Sequence, residues 1–349
     1  MRIALEEMLR AKAAKELGKR RPVRSPVTER IFMRRWQINP DELVITNYPR
    51  RRPVAAFNPG TLFDGEKIYI FPRLIFDYHS YVSSVGLIEI GVKELLMGEV
   101  EKPLETRIIL WPQHRWEITQ GCEDARAFNS NDEVFLLYTA VGRPKERADE
   151  DLSALALAVF TKDFRLKKKG IFMYTSSNGE VIIPNKDSAF ICIHGEAATL
   201  LTRPTVPGLP DMCWRAWADL KQLLIPGESL WPVLFPKPWE LKMGWSTNAV
   251  PLSEEEFLVG WHAVLEEDLS YRNGLALVNQ EGELLAVSNY LLSPSGVEEE
   301  YGDRPKVIFG NGLFVYEGHL VWIGGISDYS IGIFIADLKR VLERLKPLQ

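Results

Sequence analysis

The sequence predicts an all-β fold, a five-bladed β-propeller with N- and C-terminal helices outside the blades, and three observations predict it. Short β-rich runs bounded by Gly, Asn, Asp and Pro recur from residue 55 onward. Five of them open at Glu66, Glu133, Glu196, Glu255 and Gly318, about 67, 63, 59 and 63 residues apart by subtraction of those positions. The segments between them carry no sustained 3.6-residue apolar period, which an α/β domain would need.

The first run of each repeat reads as a strand: Lys67–Phe71, Val134–Tyr138, Ala197–Leu201, Glu256–Trp261 and His319–Ile323. Each is answered about 15 to 20 residues later by a second apolar strand. These are Ser84–Ile88, Ala154–Ala158, Met212–Trp217, Gly274–Val278 and Ile331–Ile335. Two recognisable strands per repeat, with room for two more, match four-stranded blades. Ile3, Leu5, Met8, Leu9 and Leu17 among Ala, Glu, Lys and Arg predict a helix over about residues 3 to 19. A second helix is expected over 337–345. Residues 1–54 are therefore read as a helix and extension packing on the propeller, and 55–349 as the propeller with its C-terminal helix. The terminal helices either cap the blades or join copies of the chain into a homo-oligomer.

Composition narrows the function. Of 349 residues, 46% are hydrophobic and 26% charged, ordinary globular usage with material for a large core. A net charge of −5 supplies no basic field for a phosphodiester backbone, so no nucleic acid partner is expected. Cys122, Cys192 and Cys213 are odd in number, widely spaced and without a CxxC pair. That argues against a disulfide framework or a zinc site and for a reducing, cytoplasmic location. The charge-rich first thirty residues leave no apolar stretch for a signal peptide or membrane span. The basic runs Lys19-Arg20-Arg21 with Arg24, and Arg50-Arg51-Arg52, read as solvated surface. No phosphate-cradling Gly-rich loop opens a helix, and neither a cofactor nor a metal is expected.

A short polar cluster precedes each first strand by about 7 to 14 residues. The clusters are Asn58, then Glu123-Asp124 with Arg126, then Lys186-Asp187, then Asn248, then Arg304 with Lys306. In a propeller the strand at this phase is the innermost, so the five clusters should converge on one axial pocket. Carboxylates mixed with Arg, Lys and Asn suit a polyhydroxylated ligand, and a sugar is the natural candidate. Turn chemistry explains Asn and Asp before a strand. It does not require Lys186, Arg126, Arg304 or Glu123.

Phe57-Asn58-Pro59-Gly60 through Arg73, Ser83–Leu87 and above all Gly121-Cys122-Glu123-Asp124-Ala125-Arg126 resemble glycoside hydrolase family 130. Asn185–Phe190, Leu201–Pro204, Gly260-Trp261-His262, Tyr271–Gly274 and Ile323–Asp328 continue the resemblance, which covers roughly residues 55 to 340. That family contains five-bladed propellers, inverting β-mannoside phosphorylases and β-mannosidases. The resemblance implies that Asp124 is the catalytic acid, passing its proton through a substrate hydroxyl. Asn58, Arg73, Ser84 and Asp328 then contact the sugar in the inner subsite, and Lys186 and Arg203 belong to a phosphate site, joined by Arg304. Glu123, Arg126, Asp187 and His262 complete the expected substrate site, with Glu123 orienting Arg126 as its alternative and a hydrogen-bonded core position as that of His262. Three residues depart from the family pattern. Ala125 replaces Pro, Thr202 stands where phosphorylases have His, and Ser153 stands where an Arg is common.

The expected reaction is cleavage of a β-mannosidic bond with inversion, by phosphorolysis to mannose 1-phosphate, with inorganic phosphate as co-substrate. Phosphate brings its own nucleophilic oxygen and needs cations, not a base. The alternative is hydrolysis, in which a second carboxylate activates water, with Asp187, Glu196 and Glu300 as candidates. A further alternative is a propeller that binds glycan without cleaving it. An arabinan- or fructan-type hydrolase fits less well with a lining of Lys and Arg.

Overall fold

The structure, a computed structural model, describes residues 2–17, 24–177 and 179–348. The N-terminal extension supplies helix α1 (Arg2–Leu17) and strand β1 (Arg34–Ile38). The first repeat is β2 (Ala55–Phe63), β3 (Lys67–Ile75), β4 (Ser83–Gly91) and β5 (Leu104–Leu110). The second is β6 (Gly121–Ser130), β7 (Glu133–Gly142), β8 (Leu152–Thr161) and β9 (Leu166–Ile171). The third is β10 (Asn185–His194), β11 (Ala197–Pro204), β12 (Cys213–Asp219) and β13 (Trp231–Leu234). The fourth is β14 (Glu240–Trp245), β15 (Phe257–Leu265), β16 (Tyr271–Val278) and β17 (Leu284–Leu292). The fifth is β18 (Ile308–Tyr316), β19 (His319–Ile326) and β20 (Ser330–Asp337), with β1 pairing antiparallel to β20 as its outer strand.

Each repeat is an antiparallel meander, and both strands read from the sequence in every repeat are present. Among the described residues the hydrogen-bonded sheets have four, nine, seven and six strands. The nine-stranded sheet holds the first two repeats, joined by a parallel bridge between Ser83 and Gly121. Strand β2 packs beside β6 and β18, β6 beside β10, β10 beside β14, and β15 beside β18. These approaches are close. A Cβ at Gly60 would meet the Ala125 carbonyl oxygen at 2.1 Å, so β2 lies against β6 only because residue 60 has no side chain.

Trp214, Trp245, Trp261 and Trp322 are fully buried between the sheets, where large aromatics supply much of the core's apolar area. The outer strands were less legible. Strand β9 carries Lys167 and Lys168 on its exposed edge, charges of the kind that keep a sheet edge from pairing with other chains, while Lys169 turns inward to pair with the buried Glu117 at 2.8 Å.

Helix α1 buries Leu5, Leu9 and Ala13, spaced at four residues, against its own chain. Lys12 Nζ donates to the carbonyl oxygens of Glu228 (2.6 Å) and Leu230 (2.9 Å). The expected C-terminal helix is α2 (Leu338–Leu342), shorter than the anticipated 337–345, with the Asp337 carboxylate capping it by accepting from the Arg340 amide at 2.8 Å. Lys19, Arg20 and Arg21 lie outside the described residues. Arg24, read as surface, is buried instead: it forms a two-point pair with Glu240 and stacks 4.5 Å over Trp261. Among the described residues no helix is long and apolar enough to cross a membrane, and the three cysteines are free thiols.

Candidate active site

Asn58, Asp124 and Asp187 occupy the same place near the start of β2, β6 and β10, and all three have positive φ, at 45°, 52° and 56°. Pairing with the next strand slips at each, between Phe57 and Gly60, Glu123 and Arg126, and Lys186 and Ala189. A β-bulge of this kind re-aims a side chain that the pleat would otherwise point into the sheet. Asn and Asp tolerate the left-handed region better than other non-glycine residues. Each such residue still costs on the order of 1 kcal/mol or more, which the surrounding contacts must offset.

The contacts are dense. Asn58 Nδ2 donates to Asp124 Oδ1 at 3.1 Å. Arg73 reaches three groups: Nη2 donates to Glu123 Oε1 (2.8 Å), Nε donates to Ser83 Oγ (2.8 Å), and Nη1 lies 3.6 Å from Asp124 Oδ1. Lys186 Nζ donates to the other Glu123 oxygen at 3.3 Å. Behind them, Arg126 donates through Nη1 to the Asp124 carbonyl (2.7 Å) and through Nε to the Ser246 carbonyl (2.9 Å), and Nη2 lies 3.4 Å from Asp187 Oδ1. Arg203 Nε donates to Asp187 Oδ2 and its Nη1 to Asp211. Gly244 makes room for this pair, since a Cβ there would stand 2.4 Å from Asp187 Oδ2.

These side chains surround a polar cavity of about 310 Å³ lined by Asn58, Arg73, Asp124, Lys186, Asp187, Arg203, His262, Arg304 and Asp328. A second cavity of about 670 Å³ shares Arg73, Lys186, Arg304 and Asp328 with it and adds Glu123, Tyr78 and Tyr81, so the two are continuous. Nine of the residues singled out in the sequence therefore face one space. Glu123 faces its outer extension, and Arg126 lies buried behind its wall.

Other expected residues are not brought there. Ser84 lines a neighbouring depression; its strand neighbour Ser83 is the one that touches Arg73. Asn248 clamps the next repeat, exchanging hydrogen bonds of 2.9 Å with the Leu313 backbone in both directions. Lys306 pairs with Asp268. Of the alternative bases, Glu196 is exposed and pairs with Lys221, and Glu300 is exposed on a short helix. Thr202 lies wholly buried, accepting from Asn185 Nδ2 at 2.7 Å. Ser153 does line the cavity, as do Lys242, Asp211, Tyr271 and Phe309, which the sequence reading did not assign to the site. Tyr271 stands in a segment that carried the resemblance; no sequence signal marks Lys242 or Asp211.

Burial holds the Asp124 carboxyl above its ordinary value, with Arg73 opposing and Glu123 adding to the effect. Burial would raise Asp187 as well, but Arg203, then His262 and Arg126, hold it well below the usual carboxylate range. Burial pushes His262 down to about 3, so its contact of 3.8 Å with Asp187 is made by a neutral imidazole, which also meets Ser246 Oγ at 3.1 Å. Asp328 is pushed up to about 6, by burial first, against Arg73 and Arg304 and with Asp124 and Glu123.

The folded Asp328 carboxyl binds its proton more tightly than the unfolded one, so stability is fully present below about pH 4 and is lost as pH rises through about 6. Above that the ionised group costs on the order of 2–3 kcal/mol. Asp328→Asn is therefore expected to raise the thermal midpoint at pH 7.5 and to leave it nearly unchanged at pH 4. Equal shifts at the two pH values would contradict the assignment.

An all-β scaffold that aims carboxylates and cations from successive repeats into one polar cavity defines a carbohydrate-active enzyme. The chain belongs to glycoside hydrolase family 130: the family model described as β-1,4-mannooligosaccharide phosphorylase matches residues 19–347. Members of that family are glycoside phosphorylases or hydrolases acting on β-mannosides. Among solved structures, the chain is similar to a β-1,2-mannobiose phosphorylase from Listeria innocua in complex with β-1,2-mannobiose. The TM-score is 0.68 at 18% identity, over 89% of this chain and 99% of that one. It is also similar to a glycosyl hydrolase from Bacteroides ovatus (TM-score 0.65, 14% identity, 95% and 96% covered). A mannose phosphorylase from Leishmania mexicana in complex with phosphate gives a TM-score of 0.57 at 14% identity, with 99% and 98% covered. At these identities the likeness is one of fold. No curated protein matches.

Proposed function

We propose that the chain is an inverting β-mannoside phosphorylase whose five repeats form the blades of a propeller around the cavity. The succession of packed first strands supports the propeller, as does the placement of Asn58, Asp124 and Asp187 at one repeat phase. Asp124 is the acid: it lines the cavity with its proton affinity raised by burial, and it passes its proton, directly or through a substrate hydroxyl, to the leaving oxygen. Asn58 and Arg73 hold that carboxyl in place, and Asp328 binds the sugar ring beside it.

The observation that carries phosphorolysis over hydrolysis is the state of the nearest base. Asp187 lies in the cavity but is pinned between Arg203 and Arg126 and held strongly ionised. A group with so little affinity for a proton is a poor general base. The same wall presents Lys186, Arg203, Lys242 and Arg304, which suit an anionic nucleophile that needs no base. Phosphate attacks the anomeric carbon from the face opposite the leaving group. The glycosidic bond breaks, the Asp124 proton ends on the departing oxygen, and α-mannose 1-phosphate results.

Hydrolysis is the second reading, favoured by Ser153 in the cavity wall where an Arg would strengthen anion binding and by Asp328, whose value near 6 suits a base. Incubation with β-1,2- and β-1,4-linked manno-oligosaccharides, with and without inorganic phosphate, separates the two. Mannose 1-phosphate formed only with phosphate is the expected result. Free mannose released at the same rate in both would overturn it.

A further inference from the structure

Beside the catalytic cavity lies a third depression, of about 520 Å³, walled by Tyr48, Phe76 and Trp111. Tyr48 and Trp111 are 44% and 45% exposed, and Tyr48 meets Phe76 edge-on at 5.1 Å. The depression is not isolated from the chemistry. Ser83 lines it and is the same residue whose hydroxyl accepts from Arg73 in the catalytic cavity. The connection after β4's partner strand, residues 76–82, stands between the two spaces: Phe76, Asp77, Ser80 and Val82 face the depression, and Tyr78 and Tyr81 face the outer catalytic cavity. Ser84, 7% exposed, also lines the depression, and its hydroxyl has no hydrogen-bond partner among the described residues. A buried hydroxyl left unpaired costs free energy that a ligand's hydroxyl would recover.

We infer that this depression is a second glycan site, which holds distal sugars of the same β-mannan chain whose end enters the catalytic cavity. Sugar rings present an apolar C–H face that stacks on exposed aromatic rings and a rim of hydroxyls that pair with polar side chains. Trp111 and Tyr48 offer the rings; Ser84, Asp77 and Arg50 offer the polar partners. Both spaces open at the end of the sheets where β2 and β6 begin, because the β3–β4 loop and the β5–β6 connection meet there. One oligosaccharide crossing residues 76–82 engages both, and the second contact adds affinity through a high effective concentration.

The inference rests on the reading of the chain as a β-mannoside enzyme, and its test is kept separate from that reading. Whole Asp124→Asn protein is titrated calorimetrically with β-mannobiose and with β-mannohexaose, with and without Trp111→Ala or Tyr48→Ala. The hexaose is expected to bind more tightly than the disaccharide, and either aromatic substitution should remove about tenfold of hexaose affinity while leaving the disaccharide unchanged. Disaccharide turnover by the chain with Asp124 intact and Trp111→Ala should equal that of the unsubstituted protein. Hexaose affinity unchanged by both substitutions, or no hexaose binding at all, overturns the second site. Loss of disaccharide turnover in the unsubstituted protein would instead count against the proposed reaction.

Discussion

Asp124→Asn is expected to lower turnover of β-mannosides by about 10³-fold, the contribution typical of a positioned general acid, while substrate affinity stays within a few-fold. The substitution is gentle on structure. Asn tolerates the positive φ of 52° at this position, and its amide oxygen can still accept from Asn58 Nδ2. What it removes is the ionisable proton of a carboxyl that burial and Glu123 hold above its ordinary value against the pull of Arg73. Steady-state kinetics together with calorimetric binding separate the two effects, since loss confined to turnover marks an interaction made only on the way to the transition state. A variant with unaltered turnover would place the acid elsewhere. A protein with binding but no turnover in either form would be a glycan-binding module.

Arg73→Met should be the most damaging single change to the fold around the site. Arg73 is buried, and it is the common partner of Glu123, Asp124 and the Ser83 hydroxyl. Removing it leaves two buried carboxylates with less compensation, and breaking a buried pair from one side costs about 3–5 kcal/mol. Adding Glu123→Gln to Arg73→Met should recover part of that loss, because the uncompensated charge is then gone. Denaturant unfolding of the two single variants and the double variant measures the coupling. A cost below about 1 kcal/mol for Arg73→Met, or strict additivity, would show that the cluster does not hold the site as described.

Much of this architecture is legible in the sequence because the repeats restate it. The second and third strands of every repeat are apolar runs bounded by turn residues, and they recur at an interval that no helix accounts for. Strands such as β9, with three consecutive lysines, carry no apolar signal and escape such a reading. Repeat phase also puts Asn58, Asp124 and Asp187 at one place in three successive repeats, and the structure has them there, in one cavity lining. It does not explain why their side chains reach the cavity, since the bulges and left-handed conformations that aim them leave no trace in composition.

The misplacements have the same origin. Ser83 and Ser84 are adjacent on one strand and both line the neighbouring depression, but only Ser83 accepts from Arg73. The choice between them depends on a register that the sequence leaves open. Asn248 shares the phase of the other clusters but spends both ends of its amide on Leu313. Arg203 is visible as a cation in the sequence, while its bonds to Asp187 and Asp211, which set the charge balance of the wall, arise only on folding.

The claim that Asp124 is the proton donor is tested most directly by varying how much proton the leaving group needs. On 2,4-dinitrophenyl β-mannoside the departing phenolate is stable without protonation, so Asp124→Asn should act within about tenfold of the unsubstituted enzyme while still losing about 10³-fold on manno-oligosaccharides. Equal losses on both substrates would contradict the role assigned to Asp124.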